Sequence, residues 1–151
     1  ATWASMMRLG RQGYRERARR IFDTAFAMQA SVKRHGALRL MGRPTFCFSF
    51  RSDEFNIYHV NDFMKGRGWR FNGQQDPDAI HMCVTGPQTQ PGVVEAFGRD
   101  LAEAVTYARH PAQPVPLSAG IYGGGGAGRT DPAALEAFFL QVMDALTDGA
   151  A

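Results

Sequence analysis

Six of the nine residues from Gly120 to Gly128 are glycine, and the one aromatic among them is Tyr122. Glycine loses more conformational freedom on folding than any other residue. A run this dense is therefore costly unless the backbone must turn tightly or lie against something. The run stands between two segments of helical character, so it reads as a loop that brings backbone and one phenol close to a ligand or a neighbouring surface. Backbone N–H groups in such a loop can bind an anion. No Gly-Lys-Ser/Thr follows, and Val115 to Tyr122 makes a poor strand. Neither a P-loop nor the dinucleotide G-x-G-x-x-G fingerprint is met. The chain has only two lysines, Lys33 and Lys65, and no side-chain set with the spacing of a catalytic constellation. These features describe a domain that helps to build a site rather than one that owns it.

At 151 residues the chain is one domain-sized unit with enough length to bury a core. Its net charge of +3 is spread without any block of five like charges. The densest basic cluster, Arg11 to Arg20, has helical spacing and reads as a solvated helix face rather than a nucleic-acid patch. Cys47 and Cys83 both sit in apolar, strand-like runs, where buried free thiols of a reducing cytosol are expected. There is no CxxC and no Cys/His spacing for a metal. No apolar run approaches the roughly 18 residues of a membrane span, and no signal peptide is visible. The expected setting is cytoplasmic and bacterial. The chain opens without an initiator methionine on Ala1 to Gly10, which reads as helix, so it is expected to be a piece of something longer.

From Gly13 to about Arg34, apolar residues fall at Ala18, Ile21, Phe22, Ala25, Phe26, Met28 and Val32, a 3.6-residue period with charges opposite. Gly36 closes this helix. Strands are predicted over 37–41, 45–51, 69–72 and 79–85, with Phe46 or Phe48 and Cys83 buried. Phe46, Phe48 and Phe50 alternate with small polar residues, so they form a core-facing stripe or, alternatively, a stacking surface for RNA. A helix over 55–65 turns Ile57, Val60, Phe63 and Met64 inward, with Asn56 or Asp53 as caps. Pro91 opens a helix to about Arg109, with Val94, Phe97, Leu101 and Val105 inward. Residues 110–116 carry three prolines and form a linker. Asp131-Pro132 opens a last helix through Leu146. His81 reads as a hydrogen-bonded strand residue, His59 as exposed, and aspartates 53, 62, 76 and 78 as loop or helix-end residues with capping roles. The order predicts an α+β fold with helices on one face of a small, mainly antiparallel sheet.

Several of these pieces together resemble a known family. Gly13-Tyr14 before the long helix, Asp53-Glu54-Phe55-Asn56-Ile57-Tyr58, Gly66-Arg67-Gly68-Trp69-Arg70-Phe71-Asn72, Ile80-His81-Met82-Cys83-Val84-Thr85 and Gly120-Ile121-Tyr122-Gly123 are similar to the C-terminal domain of sphingosine-1-phosphate lyases. These belong to the pyridoxal-phosphate-dependent group II decarboxylases, with the aspartate-aminotransferase-like fold. The resemblance runs from Trp3 to about Leu146. The Gly-Trp-x-x-Asn and Ile-His-x-Cys-x-Thr pair at this separation is fairly specific for the lyase branch.

The resemblance implies a partial enzyme. Residues 1–12 would end a connecting helix from a missing large domain. Residues 13–110 would form the small domain, 111–130 a Pro/Gly-rich channel loop, and 131–151 a C-terminal helix and tail. Pyridoxal 5'-phosphate and its Schiff-base lysine would sit in the large domain, so this chain alone would be inactive, with no catalytic, cofactor-binding or metal residue of its own. Implied partners are that large domain, a second copy in a homodimer and a phosphorylated sphingoid base, with no nucleic acid and no metal. Gly120, Ile121, Tyr122 and Gly123 would line the substrate channel, with Val142 and Leu146 beside them. Two alternatives remain open: an amino-acid decarboxylase, for which Arg129 is the candidate cation for a substrate carboxylate, and a free-standing, ferredoxin-like RNA-binding module.

Overall fold

The computed structural model describes residues 2–119 and 132–148. The first helix, α1, runs over Thr2–Lys33 and is interrupted at Gly10, whose φ of 58° and ψ of −179° are non-helical. Only glycine takes this left-handed setting without a steric cost, so the sequence break between the opening helix and the amphipathic one is a kink at this residue. The amphipathic part meets the core through Ala25, Met28 and Val32, all buried. The opening part does not, and Trp3, Met6 and Met7 are exposed.

Strands β1 (Leu38–Leu40), β2 (Cys47–Ser52), β3 (Asn72–Gln74) and β4 (Ala79–Cys83) form a sheet in the order β1-β2-β4-β3, with every neighbouring pair antiparallel. Registers pair Leu40 with Phe50, Phe48 with Met82 and Gly73 with Ile80. Even-numbered residues of β2 and β4 therefore share one face. Phe48, Phe50, Ile80 and Met82 are buried there with Leu38 from β1. The same core contains α2 (Ile57–Gly66) through Ile57, Val60 and Met64, and α3 (Val93–Arg109) through Phe97, Leu101, Ala104 and Val105. The odd-numbered face carries Cys47, Ser49, Arg51, His81 and Cys83.

Local signals explain the helix ends. Asn56 caps α2, its Oδ1 accepting from Tyr58 N at 3.0 Å. Glu95 in the first turn of α3 and Arg109 in the last complement the helix dipole. A last helix, α4, spans Pro132–Asp148. Asp131, the expected cap, lies outside the described residues.

Several expectations need correction. Cys83 is exposed and Cys47 half-buried, because their odd positions put both on the outer sheet face. Phe46 is 42% exposed and leans on Phe22 of α1, with ring centroids 5.8 Å apart. Phe48 and Phe50 are buried, so the stripe offers no platform for base stacking. The strand expected over 69–72 begins only at Asn72. Trp69 and Phe71 leave the strand line to pack on Phe97, at 5.3 and 6.3 Å between ring centroids. The fourth strand ends at Cys83, and a short 3₁₀ turn over Gly86–Thr89 follows, closed by Thr85 N donating to Gln88 Oε1 at 2.8 Å. Pro91 does not open α3: Gly92 takes φ of 81° at the cap, and the helix starts at Val93. His59 is buried, its ring 6.4 Å from that of Tyr107.

Candidate functional site

The linker after α3 leads toward the glycine run, and α2 holds it down. Asp62 occupies the middle of α2, not a helix end as its sequence setting suggested. Its carboxylate accepts from Leu117 N at 2.6 Å and from Ser118 N at 3.1 Å. Ser118 Oγ donates to Tyr58 O at 3.2 Å. Ala119 is buried, and its N–H bonds to Pro116 O at 3.2 Å. Three hydrogen bonds thus pin the chain to α2 just before Gly120, and the fourth closes a turn within the linker itself. The spacing is physical: Tyr58 and Asp62 stand four residues apart, on one face of α2. Between this helix, α3 and the linker lies a cavity of about 400 Å³ lined by His59, Asp62, Phe63, Tyr107, Pro116 and Leu117, among others.

Tyr58 ties the same helix to the sheet edge. Its hydroxyl donates to Gln74 O at 2.6 Å and to Asp78 Oδ1 at 3.4 Å. Burial, the Asp78 charge and hydrogen bond, and the Asp76 charge push its phenol up to about 12, so it is a fixed donor at neutral pH. Asp78 therefore serves as acceptor for a tyrosine. Asp53 instead pairs with Arg39 and Arg51, each at 2.9 Å.

The two most specific sequence fragments meet on the outer sheet face. Asn72, from the Gly-Trp-x-x-Asn fragment, pairs in register with His81, from Ile-His-x-Cys-x-Thr. Asn72 Nδ2 lies 3.5 Å from His81 Nε2, and Ser49 stands opposite His81 on the other side. His81 Nδ1 is buried with no hydrogen-bond partner among the described residues. Cys47 and Cys83 pair in the next row, with sulfurs 2.9 Å apart. Trp69 fixes the first fragment from behind by donating its indole N–H to Asp100 Oδ2 at 2.8 Å. Arg67 bridges Asp100 and Glu103 on α3.

Of the sequence-predicted channel residues, Gly120, Ile121, Tyr122 and Gly123 lie outside the described residues, as does Arg129. Val142 and Leu146 lie on α4 and are exposed, in company with Phe138, Phe139, Leu140 and Met143. Lys33 and Lys65 are both exposed. Among the described residues no group of three or more His, Cys, Asp or Glu side chains could hold a metal ion, and no helix is long and apolar enough to cross a membrane. Sequence reasoning missed Asp62 and Ser118 as an anchor and Cys47 and Cys83 as a pair. The first needed the linker's path over α2. The second needed only the strand register.

No family model matches the chain. It is 36% identical over 82% of its length to a sphingosine-1-phosphate lyase of Drosophila melanogaster, and 38% identical over 82% to one of Arabidopsis thaliana. It spans about a quarter of the length of the curated relatives it matches, 23% in both of these. Among solved structures, a sphingosine-1-phosphate lyase of Burkholderia pseudomallei matches over 97% of this chain and 28% of its own, with 55% identity and a TM-score of 0.73. A glutamate decarboxylase of Lactobacillus brevis matches over 75% of this chain and 28% of its own, at 20% identity and a TM-score of 0.61, a likeness of fold. The chain's homologues are sphingosine-1-phosphate lyases, and its α+β domain matches part of their pyridoxal-phosphate-dependent, aspartate-aminotransferase-like fold.

Proposed function

We propose that this chain is the C-terminal part of a carbon–carbon lyase that cleaves a phosphorylated sphingoid base to a fatty aldehyde and phosphoethanolamine. The observation that carries this reading is 55% identity to the Burkholderia lyase sustained over 97% of the chain. Pyridoxal phosphate would serve as electron sink for the bond cleavage. This chain's residues do not fit its covalent attachment: Lys33 ends α1 and Lys65 lies in the last turn of α2, both exposed to solvent. The cofactor is assigned to a large domain outside this chain, and no chemical step is assigned to residues here. Their part is to position. Asp62, Ser118 and Tyr58 fix the chain ahead of Gly120, so that Ile121 and Tyr122 border the path of the substrate's apolar tail.

Ile121→Trp in the intact parent should lower kcat/KM for a long-chain phosphorylated substrate more than for a short-chain one. Each methylene excluded from an apolar channel forfeits about 0.8 kcal/mol of burial, so four of them correspond to roughly a two-hundredfold difference between substrates. Tyr122→Phe should impair turnover with little change in melting temperature. Equal losses for both chain lengths, or losses that follow melting temperature, would remove the channel assignment.

The large domain and a second copy of the enzyme are the partners this reading requires. Trp3, Met6 and Met7 on α1 and Phe138, Phe139, Leu140, Met143 and Leu146 on α4 are exposed apolar side chains on two separate helices. Exposed apolar surface on this scale marks an interface. The isolated chain should therefore associate in sedimentation experiments as its concentration rises. A single monomeric species at high concentration would count against both partners.

A further inference from the structure

Cys47 and Cys83 stand directly opposite each other on the two central strands. The flanking pair carries the backbone hydrogen bond, Val84 N donating to Phe46 O at 2.9 Å. The cysteines therefore occupy a non-hydrogen-bonded site, where opposed side chains come nearest and α-carbons are about 4.5 Å apart. A disulfide spans α-carbon separations of about 4.4–6.8 Å, so this site accepts one without backbone movement. The sulfurs are 2.9 Å apart and both are free thiols. Cys83 is exposed, while Cys47 is half-buried. Burial first, and the neighbouring Cys83 thiol second, push the Cys47 thiol up to about 11. Cys47 thus stays protonated at neutral pH, and Cys83 is the sulfur that a dissolved oxidant meets.

We propose that Cys47 and Cys83 form a redox pair, closed reversibly into a disulfide across β2 and β4 by a hydroperoxide. The exposed Cys83 thiol loses its proton to water as its sulfur attacks the terminal peroxide oxygen and the O–O bond breaks. The leaving oxygen takes a proton and departs as water or an alcohol, and Cys83 becomes a sulfenic acid. The Cys47 sulfur then attacks the Cys83 sulfur and loses its proton as the S–O bond breaks. The hydroxide that leaves takes up that proton as water. Two thiols are oxidised by two electrons in total, and one peroxide is reduced by the same two. A dithiol restores the pair by exchange. The closed loop encloses β3 and all of α2, so the bond restrains the elements that carry Tyr58 and Asp62. The next row on the same face is Ser49, His81 and Asn72. None of this depends on the reaction proposed above.

The test uses the full-length parent, treated with hydrogen peroxide, quenched in acid, alkylated and digested without reductant. Mass spectrometry should find the Cys47 and Cys83 peptides joined, two hydrogens lighter than the free pair, and separated again by dithiothreitol. Oxidation should raise the melting temperature of the wild type but not of Cys47→Ser or Cys83→Ser. In Cys47→Ser, Cys83 should stop as a sulfenic acid that dimedone captures. In Cys83→Ser, Cys47 should remain open to alkylation after unfolding. The proposal is overturned if oxidised wild type yields the two peptides separately alkylated. It is equally overturned if they are joined only between isotopically distinct copies, or if dimedone captures Cys83 in the wild type as the end state.

Discussion

Phe97→Ala should cost the domain about 3–5 kcal/mol, the range for truncating a fully buried aromatic ring. Phe97 is fully buried on α3 and lies against three aromatic neighbours from two other segments, β2 and the connection between α2 and β3. Its ring centroid lies 6.5 Å from Phe48 on β2, 5.3 Å from Trp69 after α2, and 6.3 Å from Phe71 before β3. The contacts with Phe48 and Trp69 are edge-to-face, at 89° and 81°, the arrangement that the ring quadrupole favours. Alanine would leave a void bordered by rings from β2 and from the connection between α2 and β3, two separately held stretches of backbone, so collapse into it is difficult. Urea unfolding of the isolated chain measures the loss. Phe97→Leu should lose clearly less, since it keeps much of the volume. A loss below about 1 kcal/mol for Phe97→Ala would mean that the aromatic cluster is not the centre of the core.

Asp62→Ala should have the largest functional effect of any change among the described residues. It removes the acceptor from both Leu117 N and Ser118 N at once. Charge-assisted bonds of this kind contribute about 1.5–3 kcal/mol each when formed, but the local cost here is reduced because Leu117 is exposed and its N–H can turn to water. The core of α2 does not depend on this side chain. The expectation for the intact parent is a fall in kcat/KM toward a hundredfold, the scale of misplacing a site element by about 1 Å, with a shift in melting temperature of only a few degrees. Asp62→Asn keeps one acceptor oxygen and should fall between. If the activity lost by Asp62→Ala equals the fraction unfolded at the assay temperature, the anchor has no positioning role.

Periodicity made the core legible. The stripe of Ala25, Met28 and Val32, the inward positions Phe97, Leu101 and Val105, and the alternation through Phe48 and Phe50 are all side-chain patterns tied to backbone geometry. Where packing competes with pattern, the reading slipped. Trp69 and Phe71 have strand spacing, yet both are large enough to fill the gap over Phe97, and the core gained more from their rings than the sheet edge would from their backbone. The apolar run around Cys83 predicts a buried thiol, whereas the strand's parity turns it outward. A helical setting predicts an exposed His59, but α2 is covered on two sides, by α3 and by the sheet, and has little solvent face at that residue. The anchoring of the linker on α2 was illegible for a different reason. Asp62 acts on residues 55 and 56 positions later in the chain, and no local pattern encodes a partner at that distance.

The interruption of α1 at Gly10 has a mechanical meaning. From Gly10 to Ala25, the first fully buried residue of α1, a helix rises about 1.5 Å per residue, so the first turns are held roughly 20 Å from that point of the core. The segment between is stiff, and Gly10 is the one joint in it. Whatever covers Trp3, Met6 and Met7 is therefore set in direction by two backbone angles of a single residue. A turn about either angle would swing that cover through an arc while the packing at Ala25, Met28 and Val32 stayed as it is.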